Sequence, residues 1–442
     1  MTTVVRGGTV VTPEGEHKAD LAITEGQIVA IGPELSGGGD EIDARGLLVL
    51  PGVIDVHLHF NEPGRADWEG AATGSRALAA GGGTVFFDMP LNSTPCTVNG
   101  REVDRKREAL EAVSITDFGI WGGLVPGSVP EMAEMAAKGV VGFKAFMCDS
   151  GLPEFPRADD TTLLDGLREA ARLDLPVAVH AESDAMIRQL AQQATARTAR
   201  AFLDSRPVAA EVEAIERAVQ LAAEANARLH IVHVSSGRGV AAAVAARARG
   251  VDVSIETCPH YLFFVDDDLE RLGAVAKCAP PLRARADQDA LWDELAAGHV
   301  DIVASDHSPT VPALKAGDVF AAWGGIAGVQ STLPVLLSAG CHVRGLPLTR
   351  LVSLLAAEPA ARFRIARKGR LAVGDDADLA LVDPDERYTL RVSDLHQRHA
   401  ASPYLNATFR GSVRRTLRRG ETIFLDGRIT AQEKGRFVCP TS

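Results

Sequence analysis

Apolar residues fall in short runs whose character changes along the chain. Near the N-terminus the runs 4–11, 21–24 and 28–31 are β-like, broken by Gly7-Gly8, Glu25-Gly26 and Gly32-Pro33. Short β runs separated by such pairs predict hairpins. The same texture returns at 377–382, 413–417 and 422–425, with turns at Asp383-Pro384, Arg419-Gly420 and Asp426-Gly427. Two matched ends predict one small β-sandwich built from both termini, residues 1–48 and 367–442. Between them, 49–366 alternates apolar β runs with alanine- and charge-rich helical stretches. The strands expected are 49–60, 84–89, 117–124, 140–146, 176–180, 229–234, 252–257 and 301–305. Helices are expected between them, among them 67–80, 161–173, 209–225 and 284–297. Strand–helix alternation gives right-handed βαβ units and a parallel sheet. Eight such units fit a (β/α)8 TIM barrel. A doubly wound sheet lacks support, because no GxGxxG follows the first strand. The long loop 310–328, with Trp323-Gly324-Gly325, has the length of a site cover.

Composition narrows the function classes. The 442 residues are 46% hydrophobic and 24% charged, which excludes a disordered chain and leaves material for a large core. A net charge of −12 argues against a nucleic-acid or anionic-membrane binder, whose affinity rests on excess Lys and Arg. No apolar run approaches the ~20 residues of a membrane span. The opening MTTVVRGGTVV lacks the layout of a signal peptide. The six cysteines lack CxxC spacing and read as reduced thiols, so a cytoplasmic location is expected.

Active residues of such a barrel lie at the C-terminal ends of its strands. The first strand ends in Asp55-Val56-His57-Leu58-His59, where residues i and i+2 share a face. The fourth carries Lys144 within Gly142-Phe143-Lys144-Ala145-Phe146. The fifth ends at His180, the sixth at His233 and the eighth at Asp306. Four imidazoles and a carboxylate at one rim suit zinc or a similar divalent ion. A lysine on an apolar strand is costly as a free ammonium. Several neighbours read as supporting residues: Asp55 as the orienter of a histidine, His307 as a brace for Asp306, and His230 as facing away from the rim if its strand is regular. His260 reads as a structural hydrogen-bonding group or a substrate contact. Nothing near Cys148 suggests a thiolate nucleophile.

These motifs resemble the cyclic amidohydrolases of the amidohydrolase superfamily over nearly the whole chain. The resemblance includes Gly52-Val53-Ile54-Asp55-Val56-His57-Leu58-His59, the lysine strand and the late segment KGRLAVGDDAD. It implies two divalent ions, zinc by preference with cobalt or manganese suitable. His57 and His59 would hold the more buried ion, and His180 and His233 the more exposed one. Lys144, carboxylated on its amino group by CO2, would bridge both. Asp306 would ligate the buried ion and shuttle the proton. Finer residues point to the allantoinase branch. Dihydroorotases carry an arginine where this chain has Asn61, and a neutral amide cannot grip a substrate carboxylate. Dihydropyrimidinases carry a tyrosine where it has Asp149. The loops around Asp88-Met89-Pro90-Leu91-Asn92, Glu256-Thr257-Cys258-Pro259-His260-Tyr261, Ser305-Asp306-His307-Ser308-Pro309 and Trp323-Gly324-Gly325 resemble that branch too. The implied activity is hydrolytic opening of the hydantoin ring of allantoin to allantoate. Substrate contacts are expected from Asn61, Asn92, Ser150, Ala279 and Gly324, and a homo-oligomer, a tetramer, from the family. The rival readings are a hydantoinase or dihydropyrimidinase and a non-catalytic scaffold of the same fold.

Overall fold

Paired left-handed residues close the terminal hairpins. They are Glu25-Gly26 (φ 52° and 81°), Arg419-Gly420 (47° and 75°) and Asp426-Gly427 (44° and 82°). Positive φ at both central residues matches the right-handed twist of the flanking strands. A computed structural model describes residues 2–36 and 39–441. It opens with β1 (Thr2–Thr12), β2 (Gly15–Thr24), β3 (Gln27–Gly32), β4 (Glu41–Asp43) and β5 (Leu48–Pro51). After the barrel come β15 (Leu379–Thr389), β16 (Thr408–Arg418), β17 (Glu421–Leu425) and β18 (Arg428–Ile429). These nine strands form one sheet in the order β18-β17-β16-β15-β5-β1-β2-β3, with β4 beside β1. Val5, Val10, Leu21, Ile28, Leu379 and Leu417 share one core of this sheet, so residues from both ends bury each other.

The run 49–60, read above as a single strand, is two. Its first part, Leu48–Pro51, lies in the terminal sheet, parallel to β1 and antiparallel to β15. The break falls at Gly52, where a Cβ would sit 2.4 Å from Thr84 Oγ1. Pro51-Gly52 is a breaker pair at this point, but it does not say that the strand before it joins a different sheet.

The barrel strands are β6 (Val53–Leu58), β7 (Gly83–Asp88), β8 (Asp117–Ile120) with its continuation β9 (Gly122–Gly123), β10 (Phe143–Phe146), β11 (Val177–His180), β12 (Leu229–Ile231), β13 (Val253–Thr257) and β14 (Ile302–Val303). All their pairings are parallel. The N–H of Val141 donates to Ile120 O, joining β8 to the β10 side. The ring closes where Leu58 bridges His307 and the N–H of His59 donates to His307 O at 2.8 Å. Closure therefore brings the ends of the first and eighth strands together. Connecting helices start on side-chain caps: Asn99 accepts from Glu102 N, Asp159 from Thr162 N and Ser236 from Gly239 N. Lys368 ties the terminal sheet to the barrel through Asp117 (2.8 Å), Asp376 (3.0 Å) and Asp378 (2.7 Å). Among the described residues, no helix is long and apolar enough to cross a membrane.

Candidate metal centre and active site

The C-terminal ends of the barrel strands open into a cavity of about 460 Å³. His57 and His59 reach it from the end of β6, His180 from β11, His233 from just beyond β12 and Asp306 from just beyond β14. His233 (φ 41°) and Asp306 (φ 43°) both have left-handed backbone. Such backbone in a non-glycine residue costs energy and is maintained only where the surroundings impose it. It turns both side chains off the regular strand alternation.

His57 Nε2 lies 3.3 Å and His59 Nε2 3.5 Å from Asp306 Oδ1. The ligand atoms of these three residues lie close enough together to hold one ion. The rings of His180 and His233 meet edge to face at 4.5 Å, and the His233 ring is 5.4 Å from that of His57. Lys144 lies buried on β10 with its Nζ 5.0 Å from the centre of the Phe146 ring. Phe146 also stacks on His180 at 4.5 Å.

Two buried glutamates set the histidine tautomers. His57 donates from Nδ1 to Glu256 Oε1 at 2.7 Å, which leaves its Nε2 lone pair facing Asp306. Glu256 also receives the backbone N–H of His233 at 3.1 Å and bonds His230 Nε2 at 3.0 Å. His180 donates from Nε2 to Glu182 Oε2 at 2.8 Å, which leaves Nδ1 as its available nitrogen. Glu182 is held in turn by Arg206. Burial pushes Glu256 and Glu182 up, but their cationic and imidazole partners outweigh it and hold both near 2.

The donor set fits divalent ions. Burial pushes His59, His180 and His233 below the ordinary imidazole value, and neutral imidazole is the metal-binding form. Burial also raises Asp306, yet His57 and His59 hold its carboxyl well below the usual carboxylate range. His59 Nδ1, His233 Nδ1 and Lys144 Nζ are buried without a hydrogen-bond partner among the described residues. A second cluster, Cys148, His180 and Glu182, is compact enough for an ion. Its Glu182 is already paired with Arg206, and burial pushes the Cys148 thiol up to about 12, so it is better read as the support of His180.

Two expectations need correction. Asp55 does not orient a histidine ring: its carboxylate accepts the backbone N–H groups of His57 and Ser305, clamping the first strand to the eighth. Glu256 takes the role expected of Asp55, because β13 brings it under the ring nitrogen. His307 does not brace Asp306 with its ring; Nδ1 accepts from Gly328 N and Val329 N, and Nε2 faces Glu69 at 3.6 Å. His230 is outside the cavity lining, fully buried between Glu256, Ser254 and Trp121, and β12 ends one residue later at Ile231.

Asn92, Ser150, Ala279 and Gly324 line the cavity, as do Asp149 and the loop residues Phe320–Gly325. Ser150 turns its hydroxyl back to Phe155 O at 2.6 Å. Asn61 stands outside the lining, buried with its Nδ2 3.3 Å from Pro309 O. His260 is buried behind the cavity and burial pushes it down to about 4. Sequence reasoning missed Glu256, Glu182 and Arg206. The signal for Glu182 was present, since residue i+2 from His180 shares its face.

Comparison with known proteins agrees with this site. Residues 48–423 match the model of the Amidohydrolase family. The chain is 62% identical over 441 residues to the allantoinase of Solibacter usitatus, covering 99% of this chain and 96% of that one. It is 57% identical to the allantoinase of Rubrobacter xylanophilus, covering 99% and 97%. Among solved structures, the L-hydantoinase (dihydropyrimidinase) of Arthrobacter aurescens superposes with a TM-score of 0.96 at 33% identity, covering 99% of both chains. The dihydropyrimidinase of Brevibacillus agri superposes with 0.92 at 31% identity, covering 99% and 98%. A family match over most of the length, relatives of this identity and the histidine-rich rim lead to one conclusion: the chain belongs to the amidohydrolase family.

Proposed function

We propose that this protein is a metal-dependent cyclic amidohydrolase that opens the hydantoin ring of allantoin to give allantoate. The observation that carries the reading is the convergence of His57, His59, His180, His233, Lys144 and Asp306 beneath a single cavity. The near-full-length similarity to allantoinases supports the choice of ring. His57, His59 and Asp306 would hold one ion, and His180 and His233 a second, zinc by preference with cobalt or manganese suitable. Lys144, as N6-carboxylysine, would bridge the two. When bound, such ions supply Lewis acidity and make water a nucleophile near neutral pH.

Asp306 is the residue that moves the proton. Its carboxylate lines the cavity beside His57 and His59, which hold it ionised and so able to accept a proton. It would take the proton of the attacking water and return it to the leaving ring nitrogen. Glu256 and Glu182 hold His57 and His180 in the tautomers that ligation needs. Main chain of Gly324 and Ala279, with Asn92, would read the ring amides and the ureido group.

The structural likeness to hydantoinases favours one rival, the same mechanism on a simpler ring. Steady-state kcat/KM for allantoin, hydantoin and dihydrouracil decides between them, with allantoin expected to lead. A scaffold without activity would bind no metal and open none of the three. By the same resemblance we place the enzyme in the cytoplasm as a homotetramer, with its six free cysteines in keeping with a reducing compartment.

A further inference from the structure

The segment between Thr310 and Gly328 forms one wall of the cavity yet has little structure of its own beyond the short turn Pro312–Lys315. Two amino groups hold it. Lys315 Nζ donates to Trp323 O at 3.0 Å, Gly325 O at 2.5 Å and Ala274 O at 3.1 Å. All three of its hydrogens are therefore used. Lys277 Nζ donates to Ala322 O and, at 3.2 Å, to Phe320 O, while lying over the Phe202 ring at 4.9 Å. The carbonyl of Lys277 accepts the N–H of Gly325 at 2.8 Å. Neither lysine has a carboxylate partner among the described residues. Burial pulls Lys315 down to about 7 and Lys277 to about 8.

Packing alone would be met by a hydrocarbon of the same length at lower desolvation cost. Four of the five bonded carbonyls belong to Phe320, Ala322, Trp323 and Gly325, which are cavity-lining residues. Gly324 lies between the last two and has almost nothing near its Cβ position. Gly325 has φ 139°, and a Cβ there would sit 2.2 Å from Ser308 O, so the wall abuts the chain two residues after Asp306. A small shift of this segment would change the distance between the wall and the rim.

We propose that Lys277 and Lys315 are positioning residues for the ring-binding wall, holding the 311–325 segment over the cavity by its carbonyl oxygens. This rests on the reading that a cyclic amide is opened in that cavity. Hydrogen bonds from charged donors are among the stronger ones, so losing either set should be felt in binding.

The test uses the metal-loaded enzyme with Lys315→Met and Lys277→Met. Each should raise KM for allantoin by about tenfold or more, with kcat within about threefold and metal per subunit unchanged. Each should also speed chymotrypsin cleavage at Phe320 and Trp323. The double variant should raise KM by less than the product of the single effects, because both lysines act on one segment. Glutamine at either position keeps two donor hydrogens and should recover part of the loss. Unchanged KM in both single variants would overturn the proposal. So would raised KM without faster cleavage, which would make the lysines substrate contacts, or activity lost in step with metal. If one variant fails to fold, the other carries the test. If the wild-type enzyme fails to open allantoin, the functional reading falls, and the cleavage rates still decide whether the lysines hold the wall.

Discussion

Replacing Lys144 by methionine should stabilise the metal-free protein while destroying the metal centre. Lys144 is fully buried, its Nζ has no hydrogen-bond partner among the described residues, and the Phe146 ring at 5.0 Å is weak compensation for a desolvated charge. Burial pulls its amino group from the ordinary 10.5 to about 8, against the opposing pull of Glu256 and Asp306. At about 1.4 kcal/mol per tenfold, that displacement costs about 3 kcal/mol of native stability while the group is charged. The unfolded chain binds the extra proton between pH 8 and 10.5, so stability rises with pH across that window. The penalty is complete below about pH 8 and gone above 10.5. Methionine has similar length and carries no charge.

Chelator-treated Lys144→Met should therefore exceed chelator-treated wild type by about 3 kcal/mol at pH 7, and the gap should shrink steadily toward pH 10. Urea unfolding followed by tryptophan fluorescence gives the comparison, with Trp121, fully buried in the barrel, as one reporter. A chain of this size with two sheets need not unfold in one step, so the midpoint of the barrel phase is the quantity compared. Adding metal and bicarbonate should reverse the order. An ion present at about 1,000 times its Kd stabilises the native state by about 4 kcal/mol, and the variant cannot form the bridging group. Equal apo stabilities at pH 7, or a gap that persists unchanged at pH 10, would refute the desolvation argument. Two retained metals and full turnover in the variant would refute the bridging role.

Three further outcomes are expected. Glu256→Gln should weaken metal binding or activity by about 10- to 100-fold, as loss of a carboxylate behind a ligand histidine typically does, and competitive metal titration reads it directly. Asp306→Asn should keep the fold and lose about 10²–10⁴-fold or more in kcat, and counting metals in the same sample separates loss of the proton shuttle from loss of a ligand. The enzyme should reject dihydroorotate, since the proposed substrate ring carries a neutral ureido group where dihydroorotate carries a carboxylate; opening of that ring as fast as allantoin would sink the substrate assignment.

The barrel was legible because parallel strands alternate with helices, and each of the eight expected runs overlaps an observed barrel strand. The terminal hairpins were legible because Glu25-Gly26, Arg419-Gly420 and Asp426-Gly427 are turn pairs with a backbone requirement. The passage of 48–51 into the other sheet was not, because periodicity reports burial and strand, not which sheet receives the strand. At the site, His57, His59, Lys144, His180, His233 and Asp306 stand at or beside strand ends, where topology alone brings them together. Their partners obey no such rule. Glu256 lies 199 residues from His57, and only the ordering of β12 and β13 places it under His57, His230 and the His233 backbone at once.

Charge balance links these partners to the lysine. Two divalent ions would bring four positive charges into a space whose direct anionic ligand is Asp306. A protonated Lys144 would add a fifth, beside histidines that burial already keeps neutral. Carboxylation of the same nitrogen changes its charge by two, from cation to anion, and gives it oxygen atoms with which to reach both ions. Glu256 adds a negative charge behind His57, whereas the charge of Glu182 behind His180 is largely spent on Arg206. The more buried position would therefore be the better neutralised, with Asp306 and Glu256 both acting there. The outer ion would rely more on the bridging group and on the anion formed in the reaction. On this reasoning the outer ion should be the first lost to a chelator, and the first lost as acid protonates the ligand histidines. Stepwise metal release, followed by crystallography of a half-stripped sample, checks the order. Loss from the His57–His59–Asp306 side first would show that the charge argument weights these carboxylates wrongly.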